Sequence, residues 1–579
     1  LVDETMKRRY LAGGALCLVL LTANCGRSSR RSDPPARTGG NAGSGGGNAS
    51  GVGGRSGEAG TADTAGQAGD ADAGTGGSLG ANGGGGGTDT GGAEAGGADT
   101  GGTEAGGSAG AGELDPTCAS AVPRSERFDA HEQADVDALP LVSSITGGLY
   151  LWEHVEDLSK FRCLTSVDGV LMVNLNTRLR DLRGLERLES VGSLWLESNA
   201  VLGSLAALEN LEQAGDVTIS SNPSLATLRG LEGLTTLSSL RVVVNYGLTS
   251  LSGLENLVSV GALQLSSLPK LTNVDSLGNL EELGSLRLTS NGQLGDLEGL
   301  AGVEGFEGEL EVGYNSRLLT LSGLEGITRA TSVSVYDNAA LSSLDGLDGL
   351  VELGKLVLSN NESLSNIDAL AGVTSIGDIY IQRCSALETL EGLQNLESAS
   401  SINIGYASSL TSLEGLRSLQ TVGALEITSS SIVDLGGLGN LRQLGRLLLD
   451  ENPNLTSLVG LSEPFTSIPY LRITRCSALA DLVGLEVLAS VTETLHLESN
   501  DAMASLHGLE NLTSAHSIHV VTMGALGTLA ALDGLESIES VAAFTDNPQL
   551  PTCEIRALVE RTGPVEVEVT GNDDGTTCD

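Results

Sequence analysis

The sequence predicts an α/β-type repeat solenoid, mostly β, with one long parallel sheet. Three observations predict it. First, the motif L-x-G-L recurs with a step of 23 residues almost throughout, as at Leu185, Leu231 and Leu254, with Leu208 at the same place after an alanine, which gives about 17 units of ~23 residues. Second, each unit carries two sub-periods: Leu194 and Leu196 alternate as in a strand, and Leu202, Leu205, Leu208 and Leu211 recur every third residue. Third, an asparagine returns at a fixed place after the strand, at Asn176, Asn199, Asn222 and Asn245 among others.

A single unit cannot bury its own leucine stripe, so successive units must stack. Stacked strands at roughly 4.8 Å per unit give an array on the order of 80 Å long. The three-residue spacing suits tight turns or short 3₁₀ segments better than α-helix. The recurring asparagine turns inward, where its amide satisfies backbone groups that the turn leaves unpaired. Cys384 and Cys476 replace it in two units and read as buried thiols; four repeats apart, they cannot form a disulfide with each other.

These residues resemble the leucine-rich repeat superfamily, whose pattern is L-x-x-L-x-L-x-x-N/C. The longer form, N-P-x-L followed by L-x-G-L-x-x-L-x-x-V, resembles the receptor L-domain type of receptor ectodomains and bacterial surface proteins. The resemblance covers about Leu141 to Leu550. It implies a right-handed coil and a noncatalytic role in recognition or adhesion.

The elements are then read in chain order. Leu1 is an unusual first residue, and Met6 or an alternative start codon is taken as the start. Residues 1–25 form a secretory signal: Lys7-Arg8-Arg9, an apolar run from Tyr10 to Thr22, then Cys25. The run "LLTANC" resembles a bacterial lipoprotein box, which makes Cys25 the lipidation site. It implies an exported protein, lipid-anchored at the outer membrane or cell surface. Simple cleaved secretion is the alternative, and an uncleaved anchor is a second. Residues 26–113 are Gly-, Ala-, Ser- and Thr-rich with scattered acids and no aromatic residue, so they form a disordered tether. Its span is roughly 50 Å.

Residues 114–165 form an N-terminal cap with the first repeats, 166–545 the solenoid and 546–579 a C-terminal cap. Export permits disulfides, and Cys118–Cys163 and Cys553–Cys578 are the pairs expected at the two ends, although four cysteines allow three pairings. Within the C-terminal cap, Glu554 to Arg561 is a short helix, Val565 to Val569 a last strand, and "GNDDG" a solvated turn rather than a calcium loop.

The middle residue of each L-x-L faces outward. On or beside that row lie Trp195, Arg241, Arg287, Tyr336, Tyr380, Arg472, His496 and His519, the candidate binding residues. Trp, Tyr and Arg are the side chains that concentrate binding energy. His496 and His519 occupy equivalent places in adjacent units, with Glu498 nearby. Without a further ligand they are two exposed imidazoles, and no metal site is expected there. The row holds no nucleophile–base–orienter set, and no H-E-x-x-H or paired CxxC occurs. The chain is read as no enzyme, with no cofactor.

A formal net charge of −43 argues against nucleic acid as a partner, because that affinity rests on a basic surface. Aromatic residues are 3 % of the chain, which disfavours an extended glycan site. The expected partner is an extracellular protein, a peptide or a cell-envelope polymer on the sheet face, with membrane contact only through the lipid anchor. The competing readings are a purely structural envelope protein and, more remotely, a metal-dependent enzyme.

Overall fold

The computed structural model describes residues 118–461 and 466–578. Cys25, the export segment and the tether 26–113 lie outside the described residues. The described part belongs to one compact unit, Gly107–Asp579.

The chain winds as a leucine-rich-repeat coil around a parallel sheet. Equivalent strand residues stack in register: Leu194 on Val217, Val217 on Leu240, Leu240 on Leu263 and Leu263 on Leu286. All five are at most 1 % exposed. Leu202, Leu205, Leu208 and Leu211 close the same core from the other side of the turn and are equally buried. The core is therefore a continuous column of leucines, to which each turn adds one layer.

A residue with left-handed backbone marks each turn. Eighteen non-glycine residues from Glu153 to Asp546, and then Gly571, hold φ between 52° and 68°, which gives nineteen turns rather than about 17. The turns at Glu153 and Gly571 lie within the two stretches read as caps. Nearly every such residue is followed by the asparagine position. Its own N–H donates to the next strand, as Ser198 N–H does to the Ser220 carbonyl at 2.9 Å.

The strands are longer than the L-x-L triplet. Ser190–Glu197 has eight residues, and it turns Val191 as well as Leu194 and Leu196 inward. A period of two cannot place both Val191 and Leu194 on one face. The strand bends between them, and the pairing passes from Val191↔Ala214 to Ser193↔Asp216 without Gly192. A Cβ on Gly192 would lie 2.2 Å from the Asp168 carbonyl oxygen of the preceding turn. The V-G pair is thus a corner that needs a residue without a side chain.

The L-x-G-L segment takes two forms. Gly230 holds φ +114°, and a Cβ there would lie 2.0 Å from the Leu205 carbonyl oxygen. Where Ala207, Ser276, Ala369 or Ala531 replaces the glycine, the segment is a 3₁₀ turn instead, and it takes the same form around Gly299 and Gly415. Both the tight turns and the 3₁₀ segments that the leucine spacing suggests therefore occur.

Strands Val122–Arg124 and Phe128–Glu132 and the short helix Gln133–Asp137 open the coil. A disulfide joins Cys118 to Cys163. At the other end helix Thr552–Thr562 buries Ile555 and Leu558, strand Glu566–Thr570 pairs with the last long strand, and a disulfide joins Cys553 to Cys578. Among the described residues no helix is long and apolar enough to cross a membrane.

Candidate binding face

Because the described strands pair in parallel and the L-x-L residues of neighbouring strands stay in register, residues that point outward form rows running across the turns. The row through Trp195 continues to Thr218, Arg241, Gln264, Arg287 and Glu311. Three groups of polar and aromatic side chains stand on this face.

The central group is built on Arg287. Its guanidinium meets the Glu311 carboxylate at 2.5 Å, and the Tyr336 hydroxyl donates to the same carboxylate at 2.5 Å. Tyr336 stands on a neighbouring strand and reaches Glu311 by lying across Gly313. A Cβ at Gly313 would come within 2.4 Å of its ring. Burial, then the bond to Glu311, pushes the Tyr336 phenol well above its ordinary range. Tyr314 packs edge-on against the ring at 5.4 Å. Further along, Lys355 sits over Tyr380 at 5.5 Å and Arg383 over Tyr406 at 5.2 Å. Gln382, Asn403 and Glu426 form a second polar chain across three strands.

The C-terminal group contains Arg472, His496 and His519 in register on adjacent strands. The imidazoles stack at 5.7 Å. His496 Nε2 lies 3.0 Å from Glu498, and Arg472 lies 3.9 Å from the same carboxylate. Burial, then the neighbouring His496, lowers the His519 pKa against the opposing pull of Glu568. Among the described residues no three His, Cys, Asp or Glu side chains converge as metal ligands.

The N-terminal group surrounds Trp195. Tyr150, Met172 and Trp195 stand side by side on three successive strands. Trp152, His131 and Tyr150 have near-parallel rings, 6.1 and 6.4 Å apart by centroid. Arg127 covers Tyr150 at 3.9 Å and is itself paired with Asp129. Met172 faces outward as its place in the row requires, yet it is only 3 % exposed, because larger rings flank it.

The candidates named from sequence thus divide among three places. Trp195 belongs to the first group, Arg287, Tyr336 and Tyr380 to the second, and Arg472, His496 and His519 to the third. Arg241 stands exposed between the first two, in register with Thr218 and Gln264. Arg287, Tyr336 and His496 are already engaged with carboxylates.

Sequence reasoning missed Tyr150, Trp152, Tyr314 and Tyr406. The alternation in "LYLW" marks Leu149 and Leu151 as inward and both rings as outward. Tyr314 and Tyr406 occupy the left-handed position, whose outward projection no spacing rule for strands announces. Cys384 and Cys476 are free and buried, and desolvation pushes both thiols up to about 11. Neither is an available nucleophile.

Comparison with solved structures finds similar chains of low sequence identity. An internalin from Listeria monocytogenes is 18 % identical, with 55 % of this chain and 83 % of that chain covered and a TM-score of 0.32. A leucine-rich-repeat protein of Leptospira interrogans is 14 % identical, covering 71 % and 91 %, with a TM-score of 0.33. A plant peptide hormone receptor is 15 % identical, covering 77 % and 84 %, with a TM-score of 0.29. No protein-family model matches the chain, and no curated protein matches it.

Proposed function

We propose that this protein is a noncatalytic recognition or adhesion protein of the receptor L-domain kind. On this reading it is exported and held at the bacterial surface by a lipid on Cys25, with residues 26–113 as the tether. Its ligand is a peptide, a protein or a cell-envelope polymer bound on the outward sheet face, and nucleic acid is not a partner. The observation that carries the reading is the outward face itself. It places aromatic rings and charge-paired side chains in register on an otherwise regular scaffold, with Arg287, Glu311 and Tyr336 fixed across neighbouring strands. Such preorganised groups lose little freedom on binding.

Crosslinking capture tests it. The full-length protein is exposed to native envelope extract beside a variant carrying Trp195→Ala, Arg241→Ala, Arg287→Ala and Tyr380→Ala. A partner retained by the first and lost by the second supports recognition through this face. Equal background in both removes it and favours a purely structural envelope role.

A further inference from the structure

Both tryptophans of the chain, Trp152 and Trp195, stand in the N-terminal group of the outward face. Beside them is Asn174, in register with Trp152 on one side and Glu197 on the other. Asn174 is 8 % exposed, and its side-chain Oδ1 has no hydrogen-bond partner. A buried acceptor left unpaired is destabilising unless something recovers the bond. The other asparagines of the coil show the contrast. Asn176, two residues on, has its amide bonded to Leu151, to Asn174 and to the next turn. Asn174 is outside that ladder, in register with Trp152 on the neighbouring strand.

The chemistry of a ligand follows from these neighbours. Flat indole and phenol faces take an apolar surface with a rim of polar groups. Asn174 calls for a group that donates to Oδ1. A hydroxyl both donates and accepts, so it satisfies the amide whichever way round the amide sits. Trp152 and Glu197, in register with Asn174 on either side, are partly exposed, and side chains of that kind change rotamer quickly. Charge selects further. Glu197 stands in register with Asn174, the whole chain is at −43, and Arg127, which covers Tyr150, is already paired with Asp129. An anionic ligand is repelled, and a neutral one is not.

We propose that Tyr150, Trp152, Asn174 and Trp195 form a binding site for a neutral saccharide, with a sugar ring packed on the indoles and one of its hydroxyls hydrogen-bonded to the Asn174 amide. This rests on the recognition reading above and narrows its ligand at one end of the face. It also revises the expectation that scarce aromatics disfavour glycans: here they are few but gathered in one place.

The test uses the full-length chain and its own fluorescence, since Trp152 and Trp195 are its only tryptophans. The probes are neutral hexasaccharides of β-1,4-glucose, β-1,3-glucose, α-1,4-glucose and β-1,4-N-acetylglucosamine, beside a proline-rich apolar peptide. The expected result is a saturable emission change with at least one sugar, weakened about tenfold in Asn174→Leu and lost, by calorimetry, in Trp195→Ala. Asn174→Leu removes only the unpaired amide, so its unliganded melting temperature stays the same or rises. A structural role for Asn174 would lower it. The proposal is overturned by no saturable change with any of the sugars, by a response to the peptide alone, or by sugar binding indifferent to both variants. Should it fail while envelope capture is still lost in a variant carrying only Arg287→Ala and Tyr380→Ala, recognition stands and only the saccharide site is lost. Failure of both removes the two readings together.

Discussion

The side chain of Asn245 holds the backbone of Asn222, one turn earlier. Its Oδ1 accepts the Asn222 N–H at 2.8 Å, and its Nδ2 donates to the Ile219 and Val243 carbonyls at 2.8 and 3.1 Å. Both asparagines are fully buried. Replacing Asn245 with Ala strands a donor and acceptors where water cannot replace the amide. The expected cost is about 3 kcal/mol. Neighbouring turns share the damage and distant ones do not, because contacts in a solenoid are between neighbours. Hydrogen exchange checks this: the Asn222 N–H loses protection, and amides near Asn500 keep theirs. Uniform loss along the coil would contradict it.

Cysteine stands in for asparagine at a discount. The Asn361 N–H points at the Cys384 sulfur, and the thiol reaches toward the Gln382 carbonyl at 3.7 Å. Sulfur fills the slot but bonds weakly. Cys384→Asn is therefore expected to raise stability by about 1 kcal/mol, measured as a higher denaturation midpoint at unchanged slope. The native thiols, with a pKa of about 11, carry little thiolate at pH 8. A thiol reagent should leave Cys384 and Cys476 unmodified until the coil is unfolded.

Gly313 and Tyr336 give a test of the central group. Gly313→Ala puts a methyl where the Tyr336 ring lies, so the ring must lift away from Glu311. The phenol then loses both its shelter and its carboxylate partner. Its pKa should fall back toward the ordinary tyrosine range, visible as one more tyrosine titrating near pH 10 in the ultraviolet. The sign on stability is fixed by the same shift. The folded state holds this proton more tightly than the unfolded one, so the contribution is complete below the unfolded pKa near 10 and is lost as pH rises above it.

How much of this was legible depends on whether a residue's role is set by spacing or by contact. Leucines at Leu202, Leu205 and Leu208 declare the core because their period is that of the coil. Asn199 declares the ladder for the same reason. The glycine of the V-G pair was not legible as a corner, since its meaning is the approach of the Asp168 carbonyl from the preceding turn. The count of turns fell short because those at Glu153, Asp546 and Gly571 lack a clean L-x-G-L and stand in the two terminal stretches, read as a cap with the first repeats and as a cap. Of the face, Trp195 and Arg287 were found by alternation. Their surroundings were not: Tyr336 reaching over a glycine and Asn174 left without a partner are facts of side-chain direction, which no periodicity carries.

Two histidines of the last turns should titrate in opposite directions. His507 is exposed and bonded to Glu510 through Nδ1, and that bond raises its pKa above the ordinary 6.5. His519 lies partly buried against His496. Burial and then the neighbouring imidazole lower its pKa below 6.5, and Glu568 only partly offsets them. Proton NMR across pH 4 to 8 reads both: the His507 ring midpoint falls above 6.5 and that of His519 below it. In His496→Ala the His519 midpoint moves upward, since the one charged neighbour that lowers it is gone. For His519 the unfolded chain binds the proton more readily than the folded one, so its contribution to stability is present above 6.5. It is lost as pH falls through the lowered value. His507 acts in the reverse sense, contributing below 6.5 and losing that contribution as pH rises through its raised value. A His519 midpoint above 6.5 would show that the imidazole stack of His496 and His519 does not form in solution.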